Sequence, residues 1–160
     1  MINSRSLDNL LPVVREKAKR FLDACSRDEW LVRNGITVLV ISTERDHESQ
    51  AVLYAQGRSK PGKIVTNAKP GYSWHNWRCA LDVLPLRHGK EVWGTRGPGK
   101  NEDATDDYSN DLEVWQRIGE IGEGVGLEWG GHWQSFKDYP HFQYTGGLTL
   151  AQMRAGEGVF

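Results

Sequence analysis

A single carboxylate stands inside an otherwise apolar strand, and any fold of this sequence has to provide for it. From Cys79 to Leu86 the chain runs Cys-Ala-Leu-Asp-Val-Leu-Pro-Leu. The alternation of a strand puts Ala80 and Asp82 on one face and Cys79, Leu81 and Val83 on the other. An acidic group in such a run is costly to bury unless it is paired or metal-bound. The fold must therefore deliver a compensating group to Asp82. His75, at the end of the preceding loop, reaches the same point if the chain turns at Asn76 to Arg78.

The rest of the chain supplies helices around a few short strands. Leu7, Leu10, Leu11, Val14, Ala18, Phe21, Leu22 and Cys25 recur at three- and four-residue steps, the stripe of an amphipathic helix whose regular part begins at Pro12. Ile36 to Ile41 is an uninterrupted β-branched and aliphatic run after an Asn34-Gly35 turn, which predicts a buried strand. Asp46 is the expected N-cap of a helix from about His47 to Gln56, stopped by Gly57. Residues 57–72 and 94–108 read as long loops. The Cys79–Leu86 strand turns at His88-Gly89 into a partner at Glu91–Trp93. Leu112, Trp115, Ile118, Ile121 and Val125 resume helical spacing, weakened by Gly119, Gly122 and Gly124. A short strand at His141–Tyr144 and a final turn capped by Thr149 complete the pattern. Residues 1–160 are expected to form a single α+β domain, helices packed on a small antiparallel sheet.

Composition narrows the function. At 160 residues the chain can bury a core without staples, and a formal charge of −1 lacks the cationic face of a nucleic-acid binder. No apolar run is long enough for membrane insertion, and the N-terminus lacks the apolar core of an export signal. Cys25 and Cys79 sit in apolar surroundings and read as buried free thiols. Seven tryptophans are many for this length. Trp74, Trp77, Trp129 and Trp133, close in sequence to the polar cluster, belong either to a ligand groove or to the core.

Far downstream lies Asp138-Tyr-Pro-His141-Phe-Gln143. A catalytic zinc takes three protein ligands and keeps a fourth position open, and His75, Asp82 and His141 form such a set. Pro140 stiffens the turn between Asp138 and His141. One side chain can thus sit on the metal while the other works as a base, the arrangement needed to hydrolyse an amide or ester without a covalent intermediate.

Taken together, Ser73-Trp-His75, Ala80-Leu-Asp82 and Asp138-Tyr-Pro-His141 resemble the M15 zinc peptidases, the D-Ala-D-Ala carboxypeptidase and L-alanyl-D-glutamate endopeptidase family, above all its phage endolysin branch. Gln50 with Leu53-Tyr54-Ala55-Gln56-Gly57-Arg58, Thr66-Asn67-Ala68 and Leu127-Glu128-Trp129-Gly130-Gly131 resemble the same branch. The resemblance spans roughly residues 10 to 155 and implies a Hedgehog/D,D-peptidase-like fold. It implies one Zn2+ held by His75, Asp82 and His141, with Asp138 as catalytic base and Arg45 polarising the scissile carbonyl. Ser73, Gln50, Trp129 and His132 are the candidate substrate-binding residues.

The implied activity is hydrolysis of the L-alanyl-D-glutamate bond of peptidoglycan in bacterial lysis. A D-alanyl-D-alanine carboxypeptidase and a non-catalytic cell-wall-binding zinc domain are the alternatives. The expected setting is a monomer without a separate wall-binding domain, made in the host cytoplasm and released to the wall by a separate holin-type pore.

Two positions depart from the family pattern. Arg78 stands where Gly is usual, so the turn must avoid a positive φ or tolerate strain. His132 stands where Asp is usual, either at the cleft rim or on the plain surface. Gly94-Thr-Arg-Gly-Pro-Gly99-Lys100-Asn101 nearly spells a phosphate-binding loop, but Asn101 replaces the magnesium-holding Ser or Thr. The acidic run Glu102–Asp111 reads as a solvated loop with oxygen ligands for a weak secondary cation as its alternative.

Overall fold

The computed structural model describes residues 1–95 and 110–159. Among the described residues, five α-helices surround a five-stranded antiparallel sheet, the α+β arrangement expected. Helix α1 (Pro12–Arg27) starts on Pro12 and buries Val14, Ala18, Phe21 and Cys25, while Leu7 belongs to a preceding 3-10 turn. Asp28 ends α1 and caps α2 (Glu29–Arg33), its carboxylate accepting from Leu31 N at 2.9 Å. This short helix escapes the periodicity because its five residues span little more than one turn.

Strand β1 (Ile36–Ser42) pairs with β2 (Ala80–Arg87), and β3 (Lys90–Glu91) folds back on the far end of β2. β1 is not the buried strand its composition predicts: Leu39 is 45% exposed. β1 is the edge of the sheet, and the central strand, buried except at Asp82 and Leu86, is β2. β3 also falls one or two positions earlier than expected. Between β1 and β2 lies α3 (His47–Ala55), capped by Asp46 as expected. Helix α4 (Asp111–Gly124) leads to β4 (Glu128–Trp129), then a 3-10 turn through His132. β5 (His141–Gln143) lies between β2 and β4, and α5 (Leu150–Arg154) is capped by Thr149 as expected, in a capping box that Gln152 completes.

The core joins α1 and α4 to one side of the sheet through Leu81, Val83, Trp129 and Phe142. Phe21 meets Phe142 with ring centroids 4.5 Å apart. Gly119 and Gly122 explain why α4 tolerates glycine. A Cβ there would fall 2.3 Å from Trp129 Cε3 and 2.4 Å from Phe142 Cε1, so the helix approaches the sheet only because these side chains are missing. Both cysteines are free and buried, and burial pushes the Cys25 thiol up to about 12 and Cys79 to about 11. Such thiols are unreactive. Among the described residues no helix is long and apolar enough to cross a membrane. The phosphate-loop-like stretch from residue 96 and most of the acidic run lie outside the described residues.

Candidate metal centre and active-site cleft

Alternation that sends Leu81, Val83 and Phe142 into the core sends Asp82 and His141 to the opposite face of the sheet. Asp82 and His141 are register partners across β2 and β5, and Ser42 of β1 pairs with Asp82 on its other side. A register shift between Val40 and Ser42 brings Ser42 into this row. Directly opposed residues share a face, so the sheet assembles Ser42, Asp82 and His141 in one line.

His75 arrives from outside the sheet, in a 3-10 turn (Trp74–Trp77) capped by Ser73. That turn ends on Arg78 at φ 61°, ψ 29°, a left-handed conformation that strains a non-glycine residue. Of the two ways open to Arg78, the structure takes strain, offset by tethering. Its Nε donates to Asn9 O at 2.7 Å, and Glu44 stands 3.9 Å away.

The ligand atoms of His75, Asp82 and His141 lie within 4.8 Å of one another. His75 Nε2 is 3.2 Å and His141 Nδ1 3.3 Å from the same Asp82 oxygen. Zinc bonds of about 2.0–2.1 Å in a tetrahedron require ligand atoms about 3.3 Å apart. The two distances to Asp82 match that separation, and the donor set of two imidazoles and a carboxylate fits a zinc ion. Burial pushes the Asp82 carboxyl up, but His75 and His141 outweigh it and hold it well below the usual carboxylate range. Desolvation lowers His141, yet Asp82 pulls its pKa up overall. An anionic centre that attracts a proton attracts a divalent cation at the same place.

The non-liganding nitrogens are also satisfied. His75 Nδ1 lies 2.6 Å from Thr43 O, and His141 Nε2 lies 2.7 Å from Gln143 Oε1. Such acceptors behind a liganding histidine orient the ring and fix its tautomer. Residue chemistry alone misses this layer, although the alternation of β5 is the signal that sets Gln143 on the face of His141.

The three residues line a cleft of about 770 Å³ with Arg45, Ser73, Trp133, Asp138, Glu128 and Gln143 on its walls. That volume suits a small-molecule or peptide ligand. Asp138 is open to solvent, and partial desolvation in the cleft raises its pKa, with His141 opposing and Asp82 reinforcing. Arg45 donates to Gln50 Oε1 at 3.1 Å and Ser42 Oγ at 3.3 Å. Its buried Nε has no hydrogen-bond partner among the described residues.

Three candidate substrate residues lie elsewhere than direct contact requires. Gln50 is fully buried, holding Arg45 on one side and Ala68 O at 2.8 Å on the other. Trp129 is a core side chain, 2% exposed, whose Nε1 donates to Tyr139 O. His132 is on the surface, paired with Glu123 at 2.6 Å and absent from the cleft walls. Ser73 does line the cleft, and its hydroxyl accepts from His75 N.

Comparison with known proteins agrees with this architecture. The M15 peptidase family described as D-alanyl-D-alanine carboxypeptidase matches residues 66–144, a span that includes His75, Asp82, Asp138 and His141. The peptidoglycan L-alanyl-D-glutamate endopeptidase CwlK of Bacillus subtilis (strain 168) is 35% identical over 136 residues, covering 84% of this chain and 73% of CwlK. The L-alanyl-D-glutamate peptidase of Listeria phage A118 is 30% identical over 146 residues, covering 89% of this chain but only 41% of the phage protein. The crystal structure of the Serratia marcescens L-Ala D-Glu endopeptidase ChiX superposes with a TM-score of 0.55 at 19% identity, covering 91% of this chain and 90% of ChiX; at that identity the likeness speaks for the fold. On the strength of the CwlK match and the family span over the cleft, the chain belongs to the M15 peptidase family.

Proposed function

We propose that this chain is a zinc-dependent peptidoglycan endopeptidase that hydrolyses the L-alanyl-D-glutamate bond of the stem peptide. The observation that carries the reading is the meeting of His75, Asp82 and His141 in an open cleft with Asp138 and Arg45 on its walls. A purely structural zinc site closes its fourth position and has no use for a carboxylate and a guanidinium facing it. The activities of CwlK and the phage enzyme support the choice of bond.

In this reading His75, Asp82 and His141 hold one zinc ion, which when bound supplies Lewis acidity and acidifies water. Asp138 accepts a proton from the attacking water as its oxygen bonds to the scissile carbonyl carbon. It returns that proton to the departing amine nitrogen as the C–N bond breaks. Its raised pKa suits a group that must both take and give a proton. Arg45, braced by Gln50 and Ser42, stabilises the negative charge that develops on the carbonyl oxygen. Ser73 shapes the turn that delivers His75. The phage relative supports a lytic setting; action as a monomer after passage through a separate holin-type pore belongs to the same reading.

The family description favours one alternative, a D-alanyl-D-alanine carboxypeptidase. Digestion of purified peptidoglycan, with and without chelator, followed by mass spectrometry separates the two. New N-terminal D-glutamyl groups that vanish with chelator are expected. Released D-alanine alone points to the carboxypeptidase, and no product from the zinc-loaded protein rejects catalysis. Asp138→Ala is expected to keep its zinc and lose activity by about 100-fold or more, whereas His75→Ala loses both.

A further inference from the structure

The sheet register sets a second row of side chains, two of them polar, beside the metal-site row. Ser42, Asp82 and His141 face one another across β1, β2 and β5, and Ala80, Gln143 and Glu128 form the neighbouring row across β2, β5 and β4. Gln143 is two residues from His141 on the same strand, hence on the same face. It is 5% exposed, with both ends of its amide engaged. Its Oε1 lies 2.7 Å from His141 Nε2, and its Nε2 donates to Glu128 Oε2.

The order of donors along this chain has one solution. A carboxylate accepts and does not donate, so Glu128 turns the amide NH2 of Gln143 towards itself and the amide carbonyl towards His141. A carbonyl also only accepts, so His141 must carry its hydrogen on Nε2. In the neutral imidazole that a metal requires, the lone pair is then left on Nδ1, the atom 3.3 Å from the Asp82 oxygen. His75 reaches the equivalent state through a backbone carbonyl, Thr43 O at 2.6 Å. One imidazole is set by the main chain, which substitution does not alter. The other is set by two side chains.

We propose that Gln143 and Glu128 are positioning residues, a carboxylate–amide relay that fixes the tautomer and orientation of His141 for metal binding. This rests on the metal-site reading above. The test is zinc affinity of the purified full chain, measured by competition with a chromophoric chelator. Gln143→Leu is expected to bind zinc about 10–100-fold more weakly. Glu128→Gln, at an exposed position that tolerates substitution, keeps a partner but no longer dictates the amide's orientation, and loses about 3–10-fold.

Because the two act in series, Glu128→Gln adds nothing further in the Gln143→Leu background. Exchanging the groups, Gln143→Glu with Glu128→Gln, places a carboxylate acceptor directly on His141, held by the amide at 128, and recovers affinity to within about 3-fold of the parent. A merely structural role predicts instead that thermal stability falls in the zinc-free protein while zinc affinity stays unchanged. That result, or losses that simply add, overturns the relay. If Gln143→Leu fails to fold, Glu128→Gln decides by the same criterion. A parent chain that binds no zinc overturns the metal site and the relay together, whereas zinc binding indifferent to both residues overturns the relay alone.

Discussion

Arg78 shows how one residue can carry opposing contributions. Its left-handed backbone costs about 1 kcal/mol relative to glycine, while its guanidinium ties the turn before β2 to Asn9 O and, at 3.4 Å, to Leu10 O. Arg78→Gly removes both the strain and the tether; Arg78→Ala removes the tether and keeps the strain. Arg78→Gly is therefore expected to be about 1 kcal/mol more stable than Arg78→Ala, as read from urea unfolding midpoints. The reverse order would mean that the strain is absent. Gln50 teaches a related lesson: its place in the family pattern is visible in the sequence, but its burial makes it a support for Arg45 rather than a substrate contact.

Among the elements, α4 is where propensity and packing disagree. Gly119→Ala gains about 1 kcal/mol of helix propensity but drives a Cβ into the Trp129 ring. Overpacking of that kind costs about 1–3 kcal/mol, so a net loss of stability is expected. Nothing lies within 4 Å of a Cβ at Gly124, and Gly124→Ala is expected to gain about 0.5–1 kcal/mol. Chemical denaturation of the two variants measures the contrast, and equal effects would remove the packing explanation.

The junction of α1, α2 and α4 is pH-dependent. The hydrogen bond from Arg117 holds the Asp28 carboxyl below the usual carboxylate range, helped by the Leu31 amide. Because the folded pKa is depressed, its contribution is complete above the unfolded value of about 3.9 and disappears as pH falls through the lower folded value. Asp28→Ala is expected to cost about 1 kcal/mol at pH 7, mostly the lost cap, since the half-exposed ion pair adds little. The gap to the parent should begin to narrow below about pH 4 and shrink further as pH falls through the depressed folded value. A gap that persists at pH 2 would show that the carboxylate is not its source.

For the whole molecule, metal binding and folding are linked. Zinc that binds only the folded chain stabilises it by about 2.7 kcal/mol at a hundredfold excess over Kd, which for a domain of this size raises Tm by about 2–4 °C per kcal/mol. Calorimetry in zinc and in chelator should show that rise for the parent and none for His75→Ala. An equal rise in both would place the bound zinc elsewhere.

The features legible along the chain are local ones. The helical stripe of α1, the caps at Asp46 and Thr149, the apolar run of β2 and the chemistry of His75, Asp82, Asp138 and His141 are all written in near neighbours along the chain. Long-range pairing makes β1 an edge, puts Trp129 in the core and stands Gln143 and Glu128 behind His141. The physical reason is strand register. Which side chains share a row across β1, β2, β5 and β4 depends on backbone pairing between segments far apart in the chain, and a one-residue slip would send every one of them to the other face. The lone carboxylate of β2 announced that a partner must exist; the register chose which atoms meet it.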